Sequence, residues 1–287
     1  MSADHNHEQP QSIQNLIGFS EYSPKIKPLA AAGKCSQLGL SAFQLTGDYA
    51  VNFPENVTQD DRREVKEFIQ QHDIHLHYHA PSDIPLASRH KQLRLGGLER
   101  LAEFIELAVD MGAVSFIFHP GRFAFYKIDS GQIMMATKNI PESYFERFYD
   151  SVLRLAEYAD KRINLLLENT HRFNENIIKV IDKFLNLPFT GLVWDIGHMH
   201  AKSNSNQSND NIADFFSDRL RYIKLAHIHG IDNKRGHLPL GSGSLDFRPY
   251  IDILKSLDIE MIIEVYTDRD LQKSLQYVDS IEVNSQV

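Results

Sequence analysis

Gly191-Leu192-Val193-Trp194-Asp195-Ile196-Gly197-His198-Met199-His200-Ala201 reads as a short apolar strand that ends in a carboxylate, is broken by a glycine and is followed by two imidazoles. In a parallel α/β protein such a strand delivers its acid to the carboxyl edge of the sheet, where these proteins bind ligands. Asp195 and His198 are two ligand types three residues apart across a turn, close enough to face one pocket. Taken alone, the stretch fits equally well a strand closed by a turn aspartate with surface histidines beyond it. What separates the two readings is that other strands end the same way.

Upstream, Asn164 to Thr170 is a buried-type strand that ends in Glu168, and Val114 to Gly121 is apolar and closes on His119 before a Pro-Gly breaker. Ile74 to Pro81 alternates strictly, so His75, His77 and His79 share one face while Leu76 and Tyr78 share the other. Branched aliphatics dominate the inner face of barrel strands. His75 and His77 are therefore expected to be hydrogen-bonded interior or rim groups, and His79, at the carboxyl end, is the better ligand candidate. Downstream, Tyr222 to Gly230 carries His227 and Met261 to Tyr266 carries Glu264. Leu16 to Tyr22 and Ser41 to Leu45 supply the two remaining strands.

Helical signals lie between the strands. Ser23-Pro24 is expected to open a helix that runs to about Leu38, with proline at its first position. Thr58 and Asp61 nearly match a capping box ahead of Val65, Phe68 and Ile69. Leu98, Leu101, Ala102, Ile105, Ala108 and Val109 fall at three- and four-residue spacing, and so do Phe145, Phe148, Val152, Leu155 and Ala159. Further helices are expected around Ile177 to Leu185, over Tyr250 to Leu257 and over Leu271 to Val278. Arg122 to about Ile140 lacks periodicity and reads as a lid-like loop at a strand end. Lys202 to Asn211 reads as a solvated Ser/Asn-rich loop, and Gly241-Ser242-Gly243 as a loop hinge.

Eight strands, each followed by a helix or a helix-sized connection with no linker between halves, predict an α/β fold: a single (β/α)8 TIM barrel over residues 15–287. The polar residues 1–14, including His5 and His7, read as a disordered tail. An open doubly wound sheet is the alternative, but no G-x-G-x-x-G follows the first strand. At 287 residues the chain can bury a barrel-sized core, and 42% hydrophobic with 24% charged residues is ordinary for a globular protein. A net charge of −8 disfavours long nucleic acid as a partner. The lone Cys35 excludes an internal disulfide and fits a reducing, cytoplasmic setting. No secretory signal and no apolar run of membrane-spanning length is found. The expected partner is a small molecule, with homo-oligomerisation left open.

Six strand ends carry side chains suited to metal binding: His79, His119, Glu168, Asp195 with His198 beyond it, His227 and Glu264. A barrel brings all six to one mouth. Three carboxylates in a water-poor pocket would repel one another, and a divalent cation removes that cost. Mixed imidazole and carboxylate ligands suit zinc or manganese better than calcium or magnesium.

This pattern resembles the xylose isomerase-like barrel superfamily, which includes endonuclease IV and many sugar and sugar phosphate isomerases and epimerases. Its anchors are His79-Ala80-Pro81, His119-Pro120-Gly121, Glu168-Asn169, Asp195 with His198, His227, the His237 to Gly243 segment and Glu264. The resemblance implies one ion held by Glu168, Asp195, His227 and Glu264, with the two glutamates as acid and base. It implies a second ion, as in endonuclease IV, on His79 and His119 with Glu168 bridging. A third ion there would use His198, His237 and an aspartate two residues before the latter, where this chain has Arg235. The function expected is a metal-dependent isomerase or epimerase of a small carbohydrate. His198 and His237 would bind substrate, and Arg122 or Arg235 would clamp an anionic group. The alternative is a two-metal phosphodiester hydrolase acting on abasic DNA or a small phosphoester.

Overall fold

Apolar runs that are buried on both faces make strands, and here eight of them pair in parallel and close on themselves. In chain order they are β1 (Ile17–Glu21), β2 (Ala42–Thr46), β3 (His75–His79), β4 (Ser115–Phe118), β5 (Asn164–Glu168), β6 (Thr190–Asp195), β7 (Ile223–Ile228) and β8 (Met261–Ile263), with β8 paired back to β1. Outside them lie α1 (Pro28–Gln37), α2 (Gln59–Gln71), α3 (Lys91–Asp110), α4 (Glu142–Ala159), α5 (Glu175–Phe184), the one-turn α6 (Ile196–His200), α7 (Asp210–Ser217), α8 (Arg248–Ser256) and α9 (Asp268–Asn284). The computed structural model describes residues 12–120, 125–127, 133–135, 142–170, 173, 175–200, 210–232 and 235–284. The fold is the closed eight-stranded barrel that the strand count predicts.

Two separate hydrophobic layers follow from the alternation of side chains along each strand. Residues of one parity, such as Phe19, Phe43, Leu76, Phe116, Leu165 and Leu167, pack outward against the helices. The other parity gives a small inner cluster of Ala42, Ile117, Leu166, Val193, Leu225 and Ile262. Each of the larger members contributes about 1.5–3 kcal/mol by leaving water. Gly18 completes this layer without a side chain, because a Cβ there would lie 2.4 Å from the carbonyl oxygen of Ala42. Two residues further along the same strands come Ser20, Gln44, His119, Glu168, Asp195, His227 and Glu264. The dry plug therefore sits directly beneath a polar layer at the carboxyl mouth, and it closes that layer from below.

Several helix boundaries differ from the sequence expectation. The first helix begins at Pro28 rather than Pro24. Had it started at Pro24, Pro28 would fall in the helix interior, where it lacks an N–H for the ladder and its ring clashes with the preceding turn. The capping box is present as read, with Thr58 Oγ1 accepting from Asp61 N–H at 3.2 Å and Asp61 Oδ2 accepting from Thr58 N–H at 3.0 Å. Residues 1–11, with His5 and His7, lie outside the described residues. The expected tail ends earlier than residue 14, because Ile13–Leu16 form a 3-10 turn whose Ile13 is buried and whose cap Ser12 donates to Glu282 at 2.8 Å. Within the expected lid, Phe125–Lys127 and Ile133–Met135 pair as an antiparallel hairpin. The rest of it, Arg122 included, lies outside the described residues, as do residues 202–209 of the Ser/Asn-rich loop, whose last two residues, Asp210 and Asn211, instead open α7.

At the amino mouth, His75 Nδ1 and His77 Nε2 donate to the two oxygens of Glu260 at 2.9 and 3.0 Å, and His77 Nδ1 meets Ser115 Oγ at 2.7 Å. Both histidines are thus hydrogen-bonded, at the end of the barrel opposite the candidate ligands. Burial opposes ionisation of Glu260, but the hydrogen bonds from His75 and His77 outweigh it and hold its pKa at about 2, below the ordinary 4.5. A carboxylate whose folded pKa is depressed contributes stability above its unfolded pKa and loses it as pH falls toward the folded one. Glu260→Gln should therefore destabilise the protein by on the order of 3 kcal/mol at pH 6. In urea unfolding followed from pH 6 to pH 2, the gap between wild type and variant should shrink below about pH 4.5 and close near pH 2. A gap that stays constant with pH would mean that Glu260 acts through packing alone.

Candidate metal centre

The carboxyl mouth collects the ends of six strands. Glu168 and Asp195 are the last residues of β5 and β6, His227 lies near the end of β7, and Glu264 immediately follows β8. His79 ends β3, and His119 follows β4. Glu168 is 2% exposed, Asp195 and His227 0% and Glu264 3%, so three acids share a site cut off from bulk water. No lysine or arginine pairs with them among the described residues; the groups within ion-pair distance are imidazoles.

Glu168 Oε2 is the common point. It lies 3.0 Å from His79 Nε2, 3.2 Å from His119 Nε2 and 3.3 Å from His227 Nδ1. His227 Nδ1 is also 3.5 Å from Glu264 Oε1. Two ligand-type groups result, His79–His119–Glu168 and Glu168–Asp195–His227, each with its donor atoms within 4.8 Å of one another. A third group joins His198, His229 and His237 on the same criterion. The eight candidates His79, His119, Glu168, Asp195, His198, His227, His237 and Glu264 are thus brought to one mouth. Arg235 is not drawn in; it is exposed on the hairpin formed by Gly230–Asp232 and Arg235–Leu238.

Surrounding groups fix the ligand atoms. Asn169 takes both backbone positions of Asp195, accepting from its N–H at 2.8 Å and donating to its carbonyl at 2.9 Å. His79 Nδ1–H donates to the Ala80 carbonyl at 2.8 Å, which leaves the Nε2 lone pair facing Glu168. A metal-ligating histidine is ordinarily oriented by its second nitrogen in this way. Gly197, which the sequence suggests as a strand breaker, lies inside α6 directly after Asp195. Its role is room: a Cβ there would lie 2.0 Å from Cε1 of His229. The His229 ring stacks on His237 with centroids 4.3 Å apart, and its Nδ1 accepts the His237 N–H at 2.9 Å. His229 Nε2 then points at Asp195 Oδ1, 3.3 Å away.

Whether these residues suit a cation is answered by what they fail to bond. Asp195 Oδ2, His198 Nδ1, His227 Nδ1 and His229 Nε2 are buried side-chain atoms without a hydrogen-bond partner. His198 Nδ1 is only 2.9 Å from Asp195 Oδ2, yet the two are not aligned for a hydrogen bond. Buried polar atoms are nearly always paired. These orphans are divided between two neighbouring groups, Glu168–Asp195–His227 and His198–His229–His237, where a bound cation would give them the partner they lack. The donor set of carboxylates and imidazoles fits a divalent metal.

Without an ion, protons must supply the positive charge. Burial opposes the charge on His227, but Glu264 and Glu168 outweigh it and raise its pKa to about 9. Burial likewise opposes the charge on His198, and Asp195 raises it to about 10. Burial works against both acids too; His227 and His119 nevertheless hold Glu168 well below the carboxylate range, and His198 and His229 do the same for Asp195.

Sequence reasoning missed Gln44, Ser20, His229 and Tyr22 as site residues, and it named Asn169 only as part of the Glu168-Asn169 anchor without a role. Gln44 and Ser20 have the inward parity of the ligands on β2 and β1, and His229 stands two residues after His227, so alternation alone could have found them. Tyr22 packs edge-on against His237 and Tyr266, beside Glu264.

Relatives fit this picture. Three uncharacterized proteins of Methanocaldococcus jannaschii are 24–26% identical over 207–241 residues, spanning 69–77% of this chain and 70–80% of theirs. Solved structures with the same fold include a D-tagatose 3-epimerase-like protein (TM-score 0.71, 19% identity, 94% of this chain and 99% of that one). Others are a 3-keto-D-glucoside 4-epimerase from E. coli (0.68, 16%, 93% and 99%) and endonuclease IV from Thermus thermophilus (0.68, 17%, 92% and 98%). The sequence pattern of the xylose isomerase-like TIM barrel family matches residues 32–284, and the chain belongs to that family.

Proposed function

We propose that this protein is a metal-dependent isomerase or epimerase of a small sugar or sugar phosphate. The observation that carries the reading is the meeting of Glu168 and Glu264 at His227 Nδ1, 3.3 and 3.5 Å away, with Asp195 grouped with Glu168 and His227. Glu168, Asp195, His227 and Glu264 would hold the ion. When bound, a divalent ion supplies Lewis-acid polarisation of a carbonyl and so acidifies the neighbouring C–H. The chain's own residues do the rest. One glutamate takes the proton from carbon and the other, or a water, returns it. His198, on α6 beside Asp195, would hydrogen-bond a substrate oxygen, and His237, packed with Tyr22 and Tyr266, would form an aromatic wall for the sugar. The plug of Ile117, Leu166, Val193, Leu225 and Ile262 excludes water from beneath. Arg235, exposed on the hairpin that carries His237 and outside the ligand cluster, would be the clamp only for a phosphate or carboxylate that extends out of the mouth.

A second reading is favoured by His79 and His119. Both aim Nε2 at Glu168, and an isomerase that uses one ion does not need them. A two-ion hydrolase of an abasic site or a small phosphoester would use both.

Metal analysis of the purified protein separates the two: a single zinc or manganese ion per chain supports the isomerase, and a pair supports the hydrolase. Ketoses and their phosphates incubated with the enzyme in deuterated water should take up deuterium at carbon next to the carbonyl. Release of phosphate or nicking of an abasic oligonucleotide, with no such label, would overturn the isomerase reading.

Glu264→Gln should lower turnover by about 10²–10⁴-fold, the usual worth of a positioned acid or base. Arg235→Ala should chiefly raise KM for a phosphorylated substrate and leave kcat near wild type; an unchanged KM retires the clamp. Chelation should also lower thermal stability. An ion at about 100-fold its Kd stabilises the native state by about 2.7 kcal/mol. Calorimetry with and without chelator, the ion then being restored, reads that difference.

A further inference from the structure

Gln44 points from β2 into the barrel and is 1% exposed. Its amide has one donor end and one acceptor end, and the neighbours determine which faces where. Nε2 lies 2.8 Å from Glu264 Oε1 and 3.2 Å from Ser20 Oγ, while Oε1 lies 2.8 Å from His227 Nε2. An ionised carboxylate only accepts, so the nitrogen end must face Glu264. The oxygen end is thereby turned to His227, and an amide oxygen accepts only from a protonated ring nitrogen. His227 therefore carries its proton on Nε2. Its Nδ1 remains as the one ring position open to exchange a proton for an ion, and that atom is the unpartnered nitrogen between Glu168 and Glu264.

We propose that Gln44 is the positioning residue of the metal centre: oriented by Glu264, it locks His227 in the tautomer that turns Nδ1 toward the ion. The same amide restrains Glu264 Oε1, so one uncharged side chain aligns two ligands that come from different strands. This inference rests on the metal-binding reading above and adds a residue outside the ligand set.

Replacement of the amide by a side chain of similar length that cannot donate to Glu264 and accepts only weakly, Gln44→Met, tests it on the full chain. Zinc and manganese affinities are measured by competition with a chromophoric chelator, and circular dichroism verifies the barrel. The variant should fold and bind either metal about 10–100-fold more weakly, the usual consequence of losing a group that orients a ligand. Nitrogen-15 spectra of the zinc-loaded wild type, with His227 assigned through a His227→Asn variant, should show the proton on Nε2 and the metal on Nδ1. This measurement stands even if Gln44→Met does not fold. In folded Gln44→Met the Nε2 proton of His227 should lose its protection and exchange with solvent. Wild-type affinity in the variant, or a wild-type spectrum with the proton on Nδ1, overturns the role of Gln44 and leaves the metal centre standing. A wild-type protein that binds neither zinc nor manganese overturns the metal reading itself, and the inference with it.

Discussion

Three carboxylates, Glu168, Asp195 and Glu264, are buried together, and among the described residues imidazoles are the only groups beside them that can carry positive charge. Holding an ionised carboxylate away from water costs several kcal/mol unless it is closely paired. The alternative, letting the acids protonate, is blocked by the surrounding histidines, which hold Glu168 and Asp195 far below the usual range. The site therefore persists only with positive charge inside it, from protons on His198 and His227 or from a metal that displaces them. Most other features of the carboxyl mouth serve that one electrostatic demand.

The barrel meets it through alternation. A parallel strand buried on both faces sends every second residue inward, so an apolar residue at one inward position is followed by a site residue at the next. Leu166 precedes Glu168, Val193 precedes Asp195, Leu225 precedes His227 and Ile262 precedes Glu264. The apolar layer does more than fill space. It keeps water from reaching the acids from below, which strengthens each interaction in the polar layer. A slip of one residue in any of these strands would exchange a ligand for an outward-facing Leu167, Trp194, Ala226 or Ile263, so the register that closes the barrel also assembles the site.

This coupling explains how much could be read in advance. Strands that end in His119, Glu168, Asp195, His227 and Glu264 announce both the fold and the rim, because polar ligand types stand out at the end of an apolar run. Gln44 and Ser20 are harder to see. They have the same parity, but glutamine and serine are ordinary strand-end residues and only coordinates show Gln44 between Glu264 and His227. Gly197 misleads for a related reason: sequence shows an absent side chain, and the ring that occupies the space belongs to His229 from another strand end. The false start of the first helix is of a different kind. Pro24 and Pro28 are both acceptable at a first helical position, and the choice emerges only when each is tested against the other as an interior residue.

The two mouths of the barrel offer an internal control on the functional reading. At the amino mouth, β3 contributes His75 and His77 to Glu260, and each ring nitrogen that faces the carboxylate meets one of its oxygens in a hydrogen bond of 2.9–3.0 Å. Nothing there is left over. Two residues further along the same strand, His79 enters a cluster of the same chemistry with the opposite outcome, in which His227 Nδ1, His198 Nδ1 and Asp195 Oδ2 are packed close but unbonded. Both ends set imidazoles against carboxylate, so residue type alone cannot be what marks a site. What differs is satisfaction: the amino-mouth cluster closes its hydrogen bonds internally, whereas the carboxyl-mouth cluster leaves buried polar atoms without an aligned partner.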